Sequence, residues 1–321
     1  AHLGFVLVLT ILLRWRDWSL ADKCTQGFNV TAHVEASNIH KPKFTPQEFT
    51  QEEWLDEADA WNCSVMHDIG LSPYDDVIIT ATKKEQKTGL MSEFMTKADM
   101  DNKFGKGKWR AIRRRCIYQA SHGKYRSIDN AKKSHTNAAG FFDETIDTTA
   151  VDISARVCKF LRRTSGKPLV EENQPSIASE DMENAYRKIP NSTSQLQFCV
   201  IAVLHPGWQG GKPRVVFAIA YAHLFGLSAA VVNFNRVPEL ATAAGRRIGK
   251  CMAWHFFDDF GIISLRKEKE SSQELFRLIM DLMGFPTATE KREPPQPELT
   301  HLGLVHNLSR ISVKVVASPK A

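Results

Sequence analysis

Paired metal-binding cysteines, membrane-length apolar runs and internal repeats are all missing from this chain of 321 residues. Its six cysteines (Cys24, Cys63, Cys116, Cys158, Cys199, Cys251) lie far apart, with no C-x-x-C pair. That argues against a zinc site or a compact disulfide framework and fits reduced thiols in an intracellular protein, nuclear or cytoplasmic. Residues 3–13 are apolar apart from Gly4 and Thr10, but a bilayer span needs about 20 residues. A signal peptide carries a basic stretch ahead of its apolar core, whereas here Arg14-Trp15-Arg16-Asp17 follows it. Residues 3–13 are therefore expected to form a buried helix or strand, and no membrane partner is expected. Low-complexity tracts are absent, and 43% hydrophobic with 24% charged residues excludes disorder, collagen and coiled coil.

What is present is an uneven charge. The formal net charge is only +6, but residues 103–133 hold 11 basic residues and a single acid, Asp129. Residues 1–102 hold 9 basic and 16 acidic residues, and the remainder is nearly balanced. One short segment accounts for the positive excess, so a polyanion is the first partner to consider.

Residues 45–62 set Phe49, Trp54, Leu55, Ala58 and Trp61 at helical spacing behind an acidic face, after Pro46, and predict a surface helix. Residues 85–104 predict a weakly capped helix ending at Phe104-Gly105. Residues 113–118 read as a strand, and a turn at His122-Gly123 leads into a second strand over 124–130. Alternation there sets Lys124, Arg126 and Ile128 on one face. Two cations two residues apart on one strand can grip one phosphate group.

From residue 170 the texture changes. A strand at 176–179 runs into residues 181–190, which read as a helix, and a buried stretch over 197–204 ends at a turn rich in proline and glycine. An apolar segment over 215–240 is first strand-like, then helical after Phe225-Gly226-Leu227-Ser228. Residues 254–263 place two apolar arms around Asp258-Asp259, a hairpin signature. Residues 271–285 predict a helix with a Ser271/Glu274 capping box. Its apolar face would be Leu275, Phe276, Leu278, Ile279, Leu282 and Met283, with Gly284 and Pro286 as the stop. This order over 176–310 predicts an α+β fold, an antiparallel sheet with helices on one face.

Three acids stand out. Asp181 ends a strand, and Asp258 and Asp259 sit at the bend of a hairpin. Neighbouring residues of a regular strand point to opposite faces, so two adjacent acids serve one metal site only where a turn breaks the alternation. Like charges on packed strands are costly unless a cation compensates. Magnesium suits oxygen ligands, often one or two carboxylates plus substrate phosphates. Two such ions about 4 Å apart can activate a hydroxyl and stabilise a leaving pyrophosphate. A decoy exists at Pro73-Tyr74-Asp75-Asp76-Val77, and taken alone an Asp-Asp pair reads as a solvated turn and Asp181 as a helix cap.

The set in order resembles the palm motifs of reverse transcriptases: D-x-x-x-A-Y at 181–186, F-G-L-S at 225–228, F-N-R at 234–236, F-F-D-D at 256–259 and H-L-G-L at 301–304. Upstream, K-Y-R-S-I-D-N at 124–130 with Asn137 is similar to the fingers motif. The likeness covers about residues 105–310 and is greatest to retrotransposon polymerases of the tyrosine-recombinase type and related protist elements. It implies a right-hand polymerase. Residues 1–104 would be an acidic, partly helical region serving as a fingers extension, 105–175 fingers, and 176–310 palm with a fingers excursion near 190–215. Residues 311–321 would begin a thumb or connection. The short remainder after residue 304 implies weak processivity and leaves no room for an RNase H or recombinase domain within this chain.

Carried over by residue, the resemblance implies that Asp181 and Asp258 bind two Mg2+ ions (Mn2+ being the alternative), helped by the Met182 carbonyl, with Asp259 in support. Tyr186 matches the aromatic gate against a 2′-hydroxyl, or is a core aromatic. Lys124 and Arg126 would hold the incoming triphosphate, or track phosphates generally. Phe225-Gly226 matches the turn where backbone approaches template and nucleotide. Lys291 matches the lysine that protonates pyrophosphate, or is a solvated loop residue. His301, Leu302 and Gly303 resemble the primer-grip turn, Arg113, Arg114 and Arg115 would contact nucleic acid, and Arg236 would be structural. The expected function is RNA-directed DNA synthesis from dNTPs on a primed RNA or DNA template. Two alternatives stand beside it: a decayed or co-opted retroelement copy that binds nucleic acid without polymerising, and a basic binding module built on residues 113–115 and nearby aromatics. Departures from the pattern are Phe256 in place of Tyr, Leu224 in place of Pro, Asn130 in place of Asp, and an added charge at Glu180. None of them removes a metal ligand.

Overall fold

The computed structural model describes residues 1–120, 123–148, 152–165, 171–308 and 314–317. Helices α1 (Leu3–Leu12) and α2 (Leu20–Gln26) lead to strands β1 (Ala32–Val34) and β2 (Lys41–Thr45). Helices α3 (Gln51–Asp56), α4 (Ala58–Asp68), α5 (Asp75–Lys87) and α6 (Lys97–Phe104) precede β3 (Ala111–Gln119), β4 (Lys124–Asp129) and β5 (Gly140–Thr145). Then come α7 (Ile153–Ser165), β6 (Pro175–Asp181), β7 (Val200–His205), β8 (Arg214–Ile219) and α8 (Ser228–Arg247). The chain continues through β9 (Met252–Phe256), β10 (Asp259–Leu265), α9 (Ser271–Met283), β11 (Glu293–Gln296), β12 (Glu298–His301), β13 (Leu304–Asn307) and β14 (Lys314–Ala317). The fold is α+β, with sheets that are largely antiparallel.

The chain divides into two compact units. The first comprises Ala1–Ala21, Ile146–Ala185 and Asn235–Ala321; the second comprises Asp22–Thr145 and Tyr186–Phe234. In the second unit a sheet of order β4-β3-β7-β8 carries apolar side chains on both faces. Ile112, Ile201, Val203, Val216 and Ala218 pack with Trp54 and with Ile78 and Ile79 of α5. Ala111, Val200, Ala202, Val215 and Phe217 pack with Val65, Met100 and Trp109. A smaller sheet, β1-β5-β2, completes this unit.

In the first unit the sheet has order β11-β6-β10-β9, antiparallel throughout. The sequence pattern predicts helices on one face alone. Phe260 does pack on Phe276 of α9, and the backbone of Ala253 meets Arg246 of α8. The opposite face, with Ile177, Trp254 and Ile263, is covered as well, by Cys158 of α7 and by Leu299 and Leu308. A full second layer forms because β10 is apolar on both faces and β6 presents Ile177 to one face and Ala178 to the other, so both strands are buried on each side.

Several local expectations are corrected. The single helix over 45–62 is two, α3 and α4, broken at Glu57; α3 begins at a Thr50/Glu53 capping box. The helix over 85–104 does not form as one element. α5 ends at Lys87, and α6 starts anew at a Thr96/Asp99 capping box. The decoy at Asp75-Asp76 is the first turn of α5, where Asp75 accepts the Ser72 amide at 2.8 Å. Residues 3–13 are helical but only half buried: Val6, Leu9 and Leu13 turn inward, while Leu7, Val8, Ile11 and Leu12 are exposed. In α9 the buried stripe is Gln273, Phe276, Ile279, Met280 and Met283, and Leu275, Leu278 and Leu282 face solvent. No capping box starts α9; Ser271 Oγ donates to the Glu268 carbonyl instead. The segment after β6 forms 3-10 turns at Ala185–Lys188 and Thr193–Phe198 rather than an α-helix. His122 of the expected turn, and residues 311–313 and 318–321 of the expected thumb start, lie outside the described residues.

Candidate active site

The first unit gathers the three acids. Asp181 is the last residue of β6 and Asp259 the first of β10, and they pair directly opposite one another in the antiparallel ladder. Residues opposite each other in such a ladder share a face, with Cβ atoms about 5 Å apart. Asp259 also pairs with Phe256, so the hairpin turns on Phe257-Asp258, one residue earlier than the Asp258-Asp259 bend expected. Phe257 has φ +55, a left-handed conformation that costs a bulky side chain roughly 1–2 kcal/mol. Its ring rests edge-on against Phe256, with centroids 4.8 Å apart.

Backbone hydrogen bonds hold the turn to the end of β6. The Met182 amide donates to the Asp258 carbonyl at 2.9 Å, and the Ala288 amide donates to the Asp181 carbonyl at 2.8 Å. Lys291, on a 3-10 turn over Thr289–Lys291, donates its ammonium to Asp181 Oδ1 at 2.6 Å. Asp181, Asp258, Asp259 and Lys291 thus form one electrostatic cluster, and Met182 joins it through its backbone. Burial, then the neighbouring Asp258 and Asp181 carboxylates, push the Asp259 carboxyl up to about 7, with Lys291 pulling the other way.

The donor set suits a hard divalent cation, since it consists of carboxylates beside backbone carbonyls and carries surplus negative charge. Among the described residues, no group of three or more His, Cys, Asp or Glu side chains is closed up in ligating geometry. The Lys291 ammonium supplies a neutralising charge at Asp181.

The surroundings fix these residues in place. Glu180, one residue before Asp181, points to the opposite face and so does not join the acids. Gln273 donates to it at 2.6 Å, and Arg277 and Arg292 stand 3.8 and 3.6 Å away. Gly261 lies across from Trp254, and a Cβ there would sit 2.2 Å from the indole. His255 lies 3.3 Å from both Glu239 and the Phe257 carbonyl. Arg236 is fully buried against Asp17, in keeping with a structural role. In the β12–β13 hairpin, Leu302 and Gly303 form an exposed two-residue turn with φ +53 and +74. His301 does not reach that surface: its ring is buried edge-on to Trp254, and burial and then His306 lower its pKa to about 4.

The second unit holds the remaining residues. Lys124 and Arg126 project from one face of β4, and Arg115 and Ile117 stand beside them on β3. Arg113, Arg114 and Arg115 do not form one patch. Arg113 and Arg115 share the cationic face, whereas Arg114 points inward with its side chain 0% exposed. It forks onto Asp129 at 2.7 and 3.1 Å and reaches Glu85 at 2.7 Å. Burial opposes its charge, but Asp129 and Glu85 outweigh burial and raise its pKa. Arg187 completes the buried network through Glu85 at 2.8 Å. Two residues, one in the 124–130 segment and the other its partner Asn137, are thereby structural. Asp129 neutralises Arg114, and Asn137 donates to the Gly226 carbonyl at 2.9 Å while accepting the Ser228 amide at 2.9 Å. Gly226 has φ +100, and a Cβ there would lie 2.3 Å from the Asp129 carbonyl oxygen. Phe225 is 42% exposed and lies edge-on to Tyr186, which also meets Phe234. Sequence reasoning missed Glu85 and Arg187; neither sits in a motif, and only their ion pairs with Arg114, Asp129 and each other in the folded chain mark them out.

A search of protein-family models finds no match to this chain. Nor does any curated protein match it. Among the described residues, no helix is long and apolar enough to cross a membrane.

Proposed function

We propose that the chain is the fingers and palm of an RNA-directed DNA polymerase, extending a primer 3′-hydroxyl with dNTPs on a nucleic-acid template. The observation that carries this reading is the direct opposition of Asp181 and Asp259 across β6 and β10, with Asp258 beside them in the β9–β10 turn. Ordinary packing has no use for three acids at that spot, whereas metal-assisted phosphoryl chemistry requires them.

In this assignment Asp181 and Asp258 hold two Mg2+ ions, and Asp259 and the Met182 carbonyl support them. When bound, the ions would lower the pKa of the primer hydroxyl and stabilise the departing pyrophosphate. Lys291 exchanges its contact with Asp181 for the pyrophosphate oxygen and supplies a proton there. Lys124 and Arg126 hold the triphosphate, and Tyr186 is the ring against which a 2′-hydroxyl clashes. Phe225-Gly226 and the turn at Leu302-Gly303 present backbone to the nucleic acid, while half-buried Arg113 and exposed Arg115 contact its phosphates. His301 and Arg114, both buried, serve as supports.

The test is primer extension on an RNA template with dNTPs and Mg2+ or Mn2+, run beside Asp258→Asn. Template-dependent extension by the wild type, lost by about a hundredfold or more in the variant, is expected. A folded wild-type chain that extends no primer with either ion sinks the assignment in favour of a copy that binds without polymerising.

A further inference from the structure

A cleft of about 530 Å3 opens in the second unit, lined by residues that the proposed polymerase chemistry does not use. Its walls include Lys83 and Lys87 of α5, Phe94, His205, Trp208 and the acid Glu93. Lys83 and Lys87 are four residues apart on one helix, so their side chains rise from the same face about 6 Å apart. Both are exposed. Two lysines on neighbouring turns of one helix face, each with a long flexible stem, can close on one phosphate.

The aromatic walls are held rather than loose. Phe94 and Trp208 are partly buried against the core beneath the sheet. Phe94 stands edge-on to His205, with centroids 5.6 Å apart at 89°. Trp208 rides on a glycine-rich turn in which Gln209 and Gly210 have φ +54 and +73. The Arg214 guanidinium lies over its indole at 5.4 Å, fixing the ring and adding another cation beside it. His205 Nδ1 accepts the Gly207 amide at 3.3 Å, which leaves Nε2 as the hydrogen-bearing nitrogen of the neutral ring.

Flat rings beside paired cations select a ligand that is aromatic and anionic at once. An acidic peptide would use the lysines and leave the rings idle, and an apolar ligand would do the reverse. We propose that this cleft binds a nucleotide, with its base stacked on Trp208 and its phosphate between Lys83 and Lys87. The nucleotide can be free or can be one unpaired residue of a single strand, because the recognised chemistry is the same. None of Asp181, Asp258 or Asp259 takes part, so the cleft binds whether or not the chain polymerises.

The experiment uses the full chain in EDTA, so that metal chemistry has no bearing on the result. A 10-nucleotide RNA carrying 5-iodouridine is photo-cross-linked, and the labelled peptide is located by mass spectrometry. Cross-links in the peptide bearing Trp208 or Phe94 are expected, and Trp208→Ala should lose them and weaken binding about tenfold. The double variant Lys83→Gln/Lys87→Gln, confined to an exposed helix face, should deplete the same cross-links and flatten the salt dependence of binding by about one unit of log–log slope. Displacement of the cross-link by ATP assigns the cleft to a free nucleotide, and displacement only by unlabelled RNA assigns it to a strand; either supports the proposal. Wild-type cross-linking and salt dependence in the lysine variant, or cross-links confined to other peptides, would overturn it.

Discussion

Asp181 stands opposite Asp259 across the β6–β10 ladder and accepts the Lys291 ammonium at 2.6 Å. The first unit therefore concentrates negative charge at the one end of its sheet where a strained turn, with Phe257 at φ +55, holds Asp258 alongside. Strain and like-charge crowding in one place are costs that folding alone would not select.

Relieving the crowding should stabilise the protein. Asp259→Asn is expected to raise stability by roughly 1 kcal/mol in metal-free buffer. The same variant should gain less thermal stability than wild type from millimolar Mg2+. Thermal unfolding with and without the ion checks both, and a lower melting temperature for the variant would show that repulsion does not dominate there.

The neighbouring arginines should part company. Arg114→Met leaves Asp129 and Glu85 facing each other with only Arg187 between them, and should cost about 3–5 kcal/mol by urea unfolding. Arg115→Ala should shift stability by less than about 0.5 kcal/mol. It should, however, lower the log–log salt slope of RNA binding by roughly 0.7.

Gly226→Ala meets two obstacles at once, a φ of +100 and a Cβ position 2.3 Å from the Asp129 carbonyl oxygen. A loss of about 3 kcal/mol or more is expected. Near-native unfolding in urea would mean that the turn relaxes without loss.

His223 gives a pH signature. It is fully buried, its Nδ1 lies 2.6 Å from Asn191 Oδ1 and its Nε2 lies 3.0 Å from Asn233 Nδ2. Burial, then Arg187, lower its pKa to about 3 from an ordinary 6.5. The unfolded chain therefore binds a proton that the folded chain refuses. The stabilising contribution is complete above pH 6.5 and is lost as pH falls toward 3, at up to about 1.4 kcal/mol per pH unit. The stability gap between wild type and His223→Gln should narrow across that window on acidification, and a constant gap would refute the assignment.

Much of this was legible locally. A strand ending on Asp181, a hairpin at 254–263 and a cationic strand over 124–130 each follow from patterning over a few residues, and each is present, the last as Lys124–Asp129. The capping boxes at Thr50/Glu53 and Thr96/Asp99 were also written in the chain and would have split both long helices correctly. What local patterning misjudged was direction. Leu275, Leu278 and Leu282 have the right spacing for a buried stripe, yet α9 turns Gln273 and Phe276 inward, because Glu180 and Phe260 await them on the sheet.

By itself, then, the sequence determined an α+β chain with one strongly basic segment, a set of acids placed at strand ends and turns, and the glycine at 226 whose positive φ only that residue adopts at no cost. Only the tertiary structure decided that Asp259 rather than Asp258 pairs opposite Asp181, that Lys291 reaches them, and that Arg114 is a buried support between two surface arginines. Those outcomes depend on register and on which face of each strand is covered. A shift of one residue reverses both, and nothing within a single strand specifies its partner.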